Sequence, residues 1–328
     1  MKKIYLVIGV ITIVMIGILT ILNFTSNNLE KTLEEAKSLN SYQLTANMEM
    51  LENDELKSYL VTVTYEKEKK DGQYKVELYD KSLNQSQIII RNNEGVHVVT
   101  PSLNQVFKFQ SDWPMNSPKP YIYESLLLAF ENGEVEKIKD GYHVKESIKY
   151  PNDNRVKSQE IIFDQNLNPQ QVLVYDKEEV AIVTVEVVEF KENKKIDKDC
   201  FNVEKTLETA ISLYEDTSVS LPMYPVTNLG SNLDSVEVSS IEGNKSHILK
   251  FVGDKSYTMI QSIQQKLKTV QKVTVEDEVI DLIDGFALYD NNRLTRTMGN
   301  IKCTIYSNEL SKDEMIQIVN SIQVAIIK

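Results

Sequence analysis

Three histidines, two cysteines and a scatter of paired carboxylates are the residues of this 328-residue chain whose types lend themselves to chemistry. An imidazole that titrates near neutrality can act as general acid, general base or metal ligand. His97, His143 and His247 each lie inside a strand-like run, flanked by Val96 and Val98, Tyr142 and Val144, and Ser246 and Ile248. None sits in an H-E-x-x-H motif, and the chain has no G-x-S-x-G elbow or phosphate-cradling glycine loop. Glu178-Glu179 and Glu276-Asp277-Glu278 lack the alternating oxygen ligands and turn glycine of a calcium loop, so they read as solvated charge. Cys200 and Cys303 are far apart in sequence; a disulfide in an oxidising exterior and two separate buried thiols both satisfy the pattern. The expectation is a protein that is not an enzyme, with no catalytic residue, no metal and no cofactor. What stands out instead is apolar. Phe107, Phe109, Trp113, Tyr123, Leu127 and Phe130 are candidates to line a ligand cavity, although ordinary core packing accounts for the same residues.

The elements that must position this set are set by hydrophobic period. Leu29, Leu33, Ala36 and Leu39 recur at helical spacing over residues 28 to 39. The period then becomes two: Tyr42, Leu44, Ala46, Met48 and Met50 face one way and the polar residues between them the other, as in a half-buried strand. Further strands are predicted over 59–66, 73–79, 87–91, 95–100 and 105–109, separated by turn signals, which describes an antiparallel meander. In the hairpin at 93–110, Val96, Val98 and Thr100 share one face, His97 and Val99 the other, and Pro101-Ser-Leu-Asn104 turns. Pro114, Pro118 and Pro120 cannot sit in a regular ladder, and they lead into an apolar helix over 121–130. Strands resume over 141–148, 158–163, 169–175 and 180–190, so a curved sheet holding helices on its concave side is expected.

The two ends of the chain are different in kind. After Lys2 and Lys3, residues 4–24 carry no charge, long enough as a helix to span roughly 30 Å of hydrocarbon. The flank Asn23-Phe-Thr-Ser-Asn-Asn28 has no small-residue cleavage site, which favours an uncleaved anchor over a secretory signal, and the leading lysines put the N-terminus in the cytoplasm. The expected location is the cell membrane, single-pass, with the bulk extracytoplasmic. A net charge of -12, more negative still beyond the two lysines, argues against nucleic acid as a partner. The polar stretch 191–199 marks a domain boundary, dividing the chain into an anchor (1–27), a half-barrel (28–192) and a linker helix with a small α+β domain (193–328). In the last, a linker helix over 203–213, strands over 235–242 and 247–252 and a helix near 257–267 are predicted. A strand over 285–289 then joins through Asp290-Asn-Asn292 to one over 300–306, before a final helix capped by Ser311 and Glu314.

The order of N-terminal helix, Tyr42–Met50 strand and Glu94-Gly-Val-His-Val-Val-Thr-Pro-Ser-Leu-Asn-Gln-Val106 resembles the LolA-like superfamily over residues 28 to 192, and within it the sporulation and germination proteins of the GerS or YdcC type. The segment Cys303-Thr-Ile-Tyr-Ser-Asn-Glu-Leu-Ser-Lys-Asp-Glu-Met-Ile316 resembles the small domain found after LolA-like domains in spore formers. The resemblance implies an α+β fold, an incomplete antiparallel barrel closed by helices around an apolar cavity. It also implies a noncatalytic extracytoplasmic role in a Gram-positive spore former, either holding a lipid or lipoprotein acyl chain or serving as scaffold or regulator for an envelope protein such as a cell-wall hydrolase.

Overall fold

The computed structural model describes residues 28–52, 55–68, 72–114, 116–213 and 220–323. The anchor expected over residues 1–27 lies outside these, and among the described residues no helix is long and apolar enough to cross a membrane. A helix over residues 28–37 (α1) precedes a meander of β1 (Ser41–Glu52), β2 (Glu55–Glu66), β3 (Gln73–Asp80), β4 (Gln85–Asn92), β5 (Gly95–Thr100) and β6 (Gln105–Phe109). Two short helices, α2 (Tyr123–Leu127) and α3 (Ala129–Asn132), lead to β7 (Glu134–Ile138), β8 (Gly141–Ser147), β9 (Ser158–Asp164), β10 (Pro169–Tyr175) and β11 (Ala181–Glu192), which returns beside β1. Helix α4 (Val203–Leu213) then opens the remainder: β12 (Tyr224–Pro225), β13 (Ser231–Ile241), β14 (Asn244–Gly253), β15 (Tyr257–Ile263), β16 (Gln271–Thr274), β17 (Glu278–Leu282), β18 (Gly285–Asp290), β19 (Arg293–Met298), β20 (Ile301–Tyr306), α5 (Lys312–Asn320) and β21 (Ile322–Gln323).

The first sheet runs β16-β6-β5-β4-β3-β2-β1-β11-β10-β9-β8-β7, antiparallel except where β16 joins β6 in parallel. Val98 and Phe109 near one end of this order share an apolar cluster with Tyr142, Val144 and Phe163 near the other, and with Tyr123, Leu126 and Leu127 of α2. The sheet therefore curves around the helices, and its end strands do not pair. Strand alternation explains which side chains enter: Tyr42, Leu44, Ala46, Met48 and Met50 are all buried. The run Ile88-Ile89-Ile90 is apolar on both faces because Ile89 points into this core while Ile88 and Ile90 meet Val203 and Leu207 of α4 on the convex side. The hairpin β5–β6 divides the same way, Val96 and Val98 inward, Val99 and Val106 outward, with Asn104 in the left-handed region closing the turn.

The second sheet, β13-β14-β15-β20-β19-β18-β17, is antiparallel, and α5 packs Met315, Ile316, Ile318 and Val319 into its core. The capping box at its start is formed: Glu314 N–H donates to Ser311 Oγ and Ser311 N–H to Glu314 Oε2. Three expectations are corrected here. Residues 257–263 form strand β15, because Tyr257, Met259 and Gln261 alternate into the core and partners β14 and β20 flank it on both sides. The turn at Asp290–Asn292 leads to an additional strand, β19, and Gly299, at φ +57, turns it into β20. The helix read over 121–130 is two short helices that break at Leu128, which is exposed. Cys200 and Cys303 are unbonded thiols, and burial pushes that of Cys303 up to about 12.

Candidate functional site

The six apolar candidates all lie in or against the core of the first sheet, in separate groups. Trp113, Tyr123 and Leu127 are at most 2 % exposed and Phe109 7 %, while Phe107 and Phe130 pack against them partly buried. Phe130 lies against Tyr142 and Phe163, with ring centroids 6.1 and 5.0 Å away, and Tyr123 against Tyr42 and Phe190 at 5.5 and 4.7 Å. Phe109 and Trp113 meet a ring that sequence reasoning did not bring there, Phe286 of β18, at 5.2 and 6.2 Å.

Phe286 arrives because the β17–β18 hairpin of the second sheet is inserted into the concave side of the first, where Ile283 and Phe286 join the core. Polar residues of the first sheet and the proline segment hold it. Tyr121 Oη donates to Ile283 O at 2.7 Å, and buried Lys119 donates to Asp281 Oδ1 at 2.8 Å and Leu282 O at 2.6 Å. Tyr59 Oη donates to Asp284 Oδ2 at 2.7 Å, and Arg296 of β19 pairs with Asp284 Oδ1 at 2.7 Å. Burial alone would raise the Asp284 carboxyl, but the charges of Arg296 and Lys57 and the hydrogen bonds from Arg296 and Tyr59 outweigh it and hold it well below the usual carboxylate range. The half-barrel is thus filled by its own helices and plugged by the second sheet.

Two clefts flank the plug. The larger, about 760 Å³, lies between β2–β4 of the first sheet and β12, β19 and β21. Leu56, Leu78, Leu83, Met223, Met298 and Ile322 supply its apolar lining, and Lys57, Asp80, Asp284 and Arg296 its charged part. The Lys57 ammonium, which donates to Asn320 O, is pushed down by burial despite the nearby carboxylate of Asp284. The second cleft, about 690 Å³, is lined by Phe109, Trp113 and Phe286 together with Ser117, Asp277 and Asp281. Neither cleft shows a nucleophile activated by a base: the Asp284 carboxylate is engaged by Arg296 and Tyr59, and the histidines lie on three separate strands. His143 Nε2 is 3.3 Å from Glu160 Oε2, and burial pushes the imidazoles of His97 and His247 down. Among the described residues no group of three His, Cys, Asp or Glu side chains could hold a metal ion. The larger cleft sets apolar walls beside a fixed polar cluster, the make-up of a small-molecule binding site.

A third constellation lies within the core. Glu124 of α2 accepts a hydrogen bond from Tyr42 Oη at 2.8 Å and another from Tyr74, inside a cluster in which Tyr42, Tyr65 and Phe190 stack at 5.1 and 5.6 Å. Burial raises its carboxyl to about 7, the hydrogen bonds from the backbone and from Tyr42 and Tyr74 offsetting only part of that. For Asp284, Lys119 and Glu124 the sequence contained a signal, an acid or a cation inside an otherwise apolar or proline-rich run, as in Leu282-Ile-Asp-Gly-Phe286 or Ser117-Pro-Lys-Pro120; Arg296 and Lys57, in polar alternating runs, carried none.

Known proteins share parts of this chain at two levels. In solved structures the chain resembles the Pseudomonas aeruginosa MucA/MucB complex (TM-score 0.32, 11% identity, 91% of this chain and 98% of that one). It also resembles a putative outer membrane lipoprotein-sorting protein domain from Vibrio parahaemolyticus (TM-score 0.24, 11% identity, 54% and 97%). In sequence it is 32% identical over 299 residues to Sporulation protein YdcC of Bacillus subtilis (strain 168), covering 88% of each chain. The family model described as "Sporulation protein YdcC-like" matches residues 1–201, which take in the segment before the first sheet and the strands from β1 to β11. A chain that matches this model over more than half its length and a curated member over nearly all of it belongs to the YdcC-like family of sporulation proteins.

Proposed function

We propose that this sporulation protein is a noncatalytic binding protein on the outer side of the cell membrane, tethered through residues 4–24, and that its larger cleft holds the acyl portion of a lipid or lipoprotein. The observation that carries this reading is the composition of the cleft. Its volume of about 760 Å³ falls within the range of small-molecule sites, roughly 300–1,000 Å³, and its walls of Leu, Met and Ile stand beside a charged cluster of Lys57, Asp80, Asp284 and Arg296. On the concave side of the first sheet, by contrast, Tyr123 and Leu127 are buried in packed side chains, and Phe109 and Trp113 border the second cleft.

Two substitutions separate the cleft from the core. Leu127→Trp, at a packed position, is expected to cost about 1–3 kcal/mol and leave ligand content unchanged, since it overfills space already taken. Met298→Trp, at a partly buried position on the cleft wall, is expected to keep the melting temperature and abolish lipid uptake. Mass spectrometry of lipids extracted from the purified chain, together with thermal unfolding, measures both. An extract free of acyl lipid, or one unchanged in Met298→Trp, sinks the acyl reading. The tether is checked separately: in fractionated cells the full chain is expected in the membrane pellet and a version lacking residues 1–27 in the soluble fraction.

A further inference from the structure

An edge strand presents a row of unpaired N–H and C=O groups to any second strand unless it is short, charged or covered. The two large sheets end in β7, β16, β17 and β13. The first three are five, four and five residues long and carry Glu134, Glu136 and Lys137, Lys272, and Glu278 and Asp281 respectively. β13, with two acids, Asp234 and Glu237, and no Pro, Lys or Arg, differs from them in length, having eleven residues. Among the described residues it pairs with β14 on one side only.

Its cross-strand partners fix where its side chains point, because directly opposed residues share a face. Leu233 is opposite Phe251 and Val236 opposite Leu249, and both partners belong to the buried cluster covered by α5; Val238, opposite His247, is on the same side. Leu233, Val236 and Val238 nevertheless remain 42, 41 and 56% exposed. The apolar face is one strand wider than its cover. Glu237 points to the other face, where its carboxylate accepts from Lys250 of β14 at 2.7 Å, and Asp234 sits at the bulge between Leu233 and Ser235. The strand is thus apolar on one side and carries only negative charge of its own.

We propose that β13 is a docking strand for an extended segment of a partner polypeptide in which apolar residues alternate with Lys or Arg. Backbone pairing would satisfy the open edge, the apolar residues would cover Leu233, Val236 and Val238, and the basic ones would face Asp234 and the exposed side of Glu237, which Lys250 engages from the other strand. A second copy of this chain fits worse: two β13 strands side by side bring together the carboxylates of both with no cation on either strand. Occupancy of the clefts has no bearing on this edge.

The test uses the full chain in detergent and two fluorescein-labelled decapeptides, one alternating Lys and Val and the other Glu and Val. By fluorescence anisotropy the Lys–Val peptide is expected to bind saturably, and about tenfold more weakly to a chain carrying Val236→Lys and Val238→Lys. The Glu–Val peptide is expected not to bind. Hydrogen exchange over residues 231–241 of the unaltered chain should slow when the Lys–Val peptide is added, which decides the matter even if the double variant fails to fold. Equal binding of both peptides, binding without protection of 231–241, or a concentration-dependent dimer whose 231–241 amides are protected in the absence of peptide would each overturn the proposal.

Discussion

Asp284→Asn is expected to destabilise the chain by about 3–5 kcal/mol, the cost of leaving a buried charge without its partner. Arg296 is 4 % exposed, and the carboxylate is what neutralises it. Arg296→Met should cost a similar amount for the mirror-image reason. Replacing both at once, Asp284→Leu with Arg296→Met, should recover part of the loss, because a buried pair is worth little against an apolar filling of the same space, while Lys57 and the Tyr59 hydroxyl still lose the carboxylate they share. Urea unfolding of the three variants measures this. A midpoint unchanged in Asp284→Asn would show that the pair does not hold the β17–β18 hairpin in place. The pH dependence has a definite sign. The folded carboxyl is held below its ordinary value, so the contribution is fully present at neutral pH and is lost as pH falls through the depressed folded value.

Glu124 gives the opposite slope. Its folded carboxyl is raised to about 7 from an ordinary 4.5, so the native state holds a proton that the unfolded chain has released. Stability should therefore fall as pH rises from 4.5 to 7 and remain at the lower level above that. Glu124→Gln keeps the shape and removes the charge. It is expected to stabilise the chain at pH 8 on the order of 2–3 kcal/mol and to flatten the slope, with little effect at pH 5. Denaturant midpoints of both proteins across this range provide the measurement. A variant that keeps the same slope would assign the titration elsewhere. Tyr42 and Tyr74, which donate to the carboxylate, make Glu124 the polar centre of an aromatic core, so its charge state also sets how tightly α2 is held against β1 and β3.

Both effects arise from single acids inside apolar runs, a pattern that marks a buried charge in the sequence without naming its partner. The strands of the first sheet were legible because burial on one face forces period two, as in Tyr42 to Met50, and because proline and asparagine mark the turn at 101–104. The last helix was legible from its cap. β15 was misread because Tyr257-Thr-Met-Ile-Gln-Ser-Ile263 is apolar enough for either period, and only the pairing with β14 and β20 decides between them. β16 and β17 were missed because short, charged edge strands owe their conformation to a neighbour rather than to their own composition.

For the site, the residues Phe107, Phe109, Trp113, Tyr123, Leu127 and Phe130 announced a buried apolar set by their type, and burial of such side chains is a consequence of the hydrophobic effect alone. Whether that set encloses a void or a packed core is a property of the segments that come across from elsewhere in the chain. Here the answer is Ile283 and Phe286, more than a hundred residues downstream, fixed by Lys119, Tyr121 and Tyr59. Amino-acid types and their local period determined the strands, the meander and the apolar character. Only the tertiary structure decided that the half-barrel is plugged and that its clefts lie beside the plug, because long-range docking depends on shape and on partners for buried charge, and neither is written in any local run of sequence.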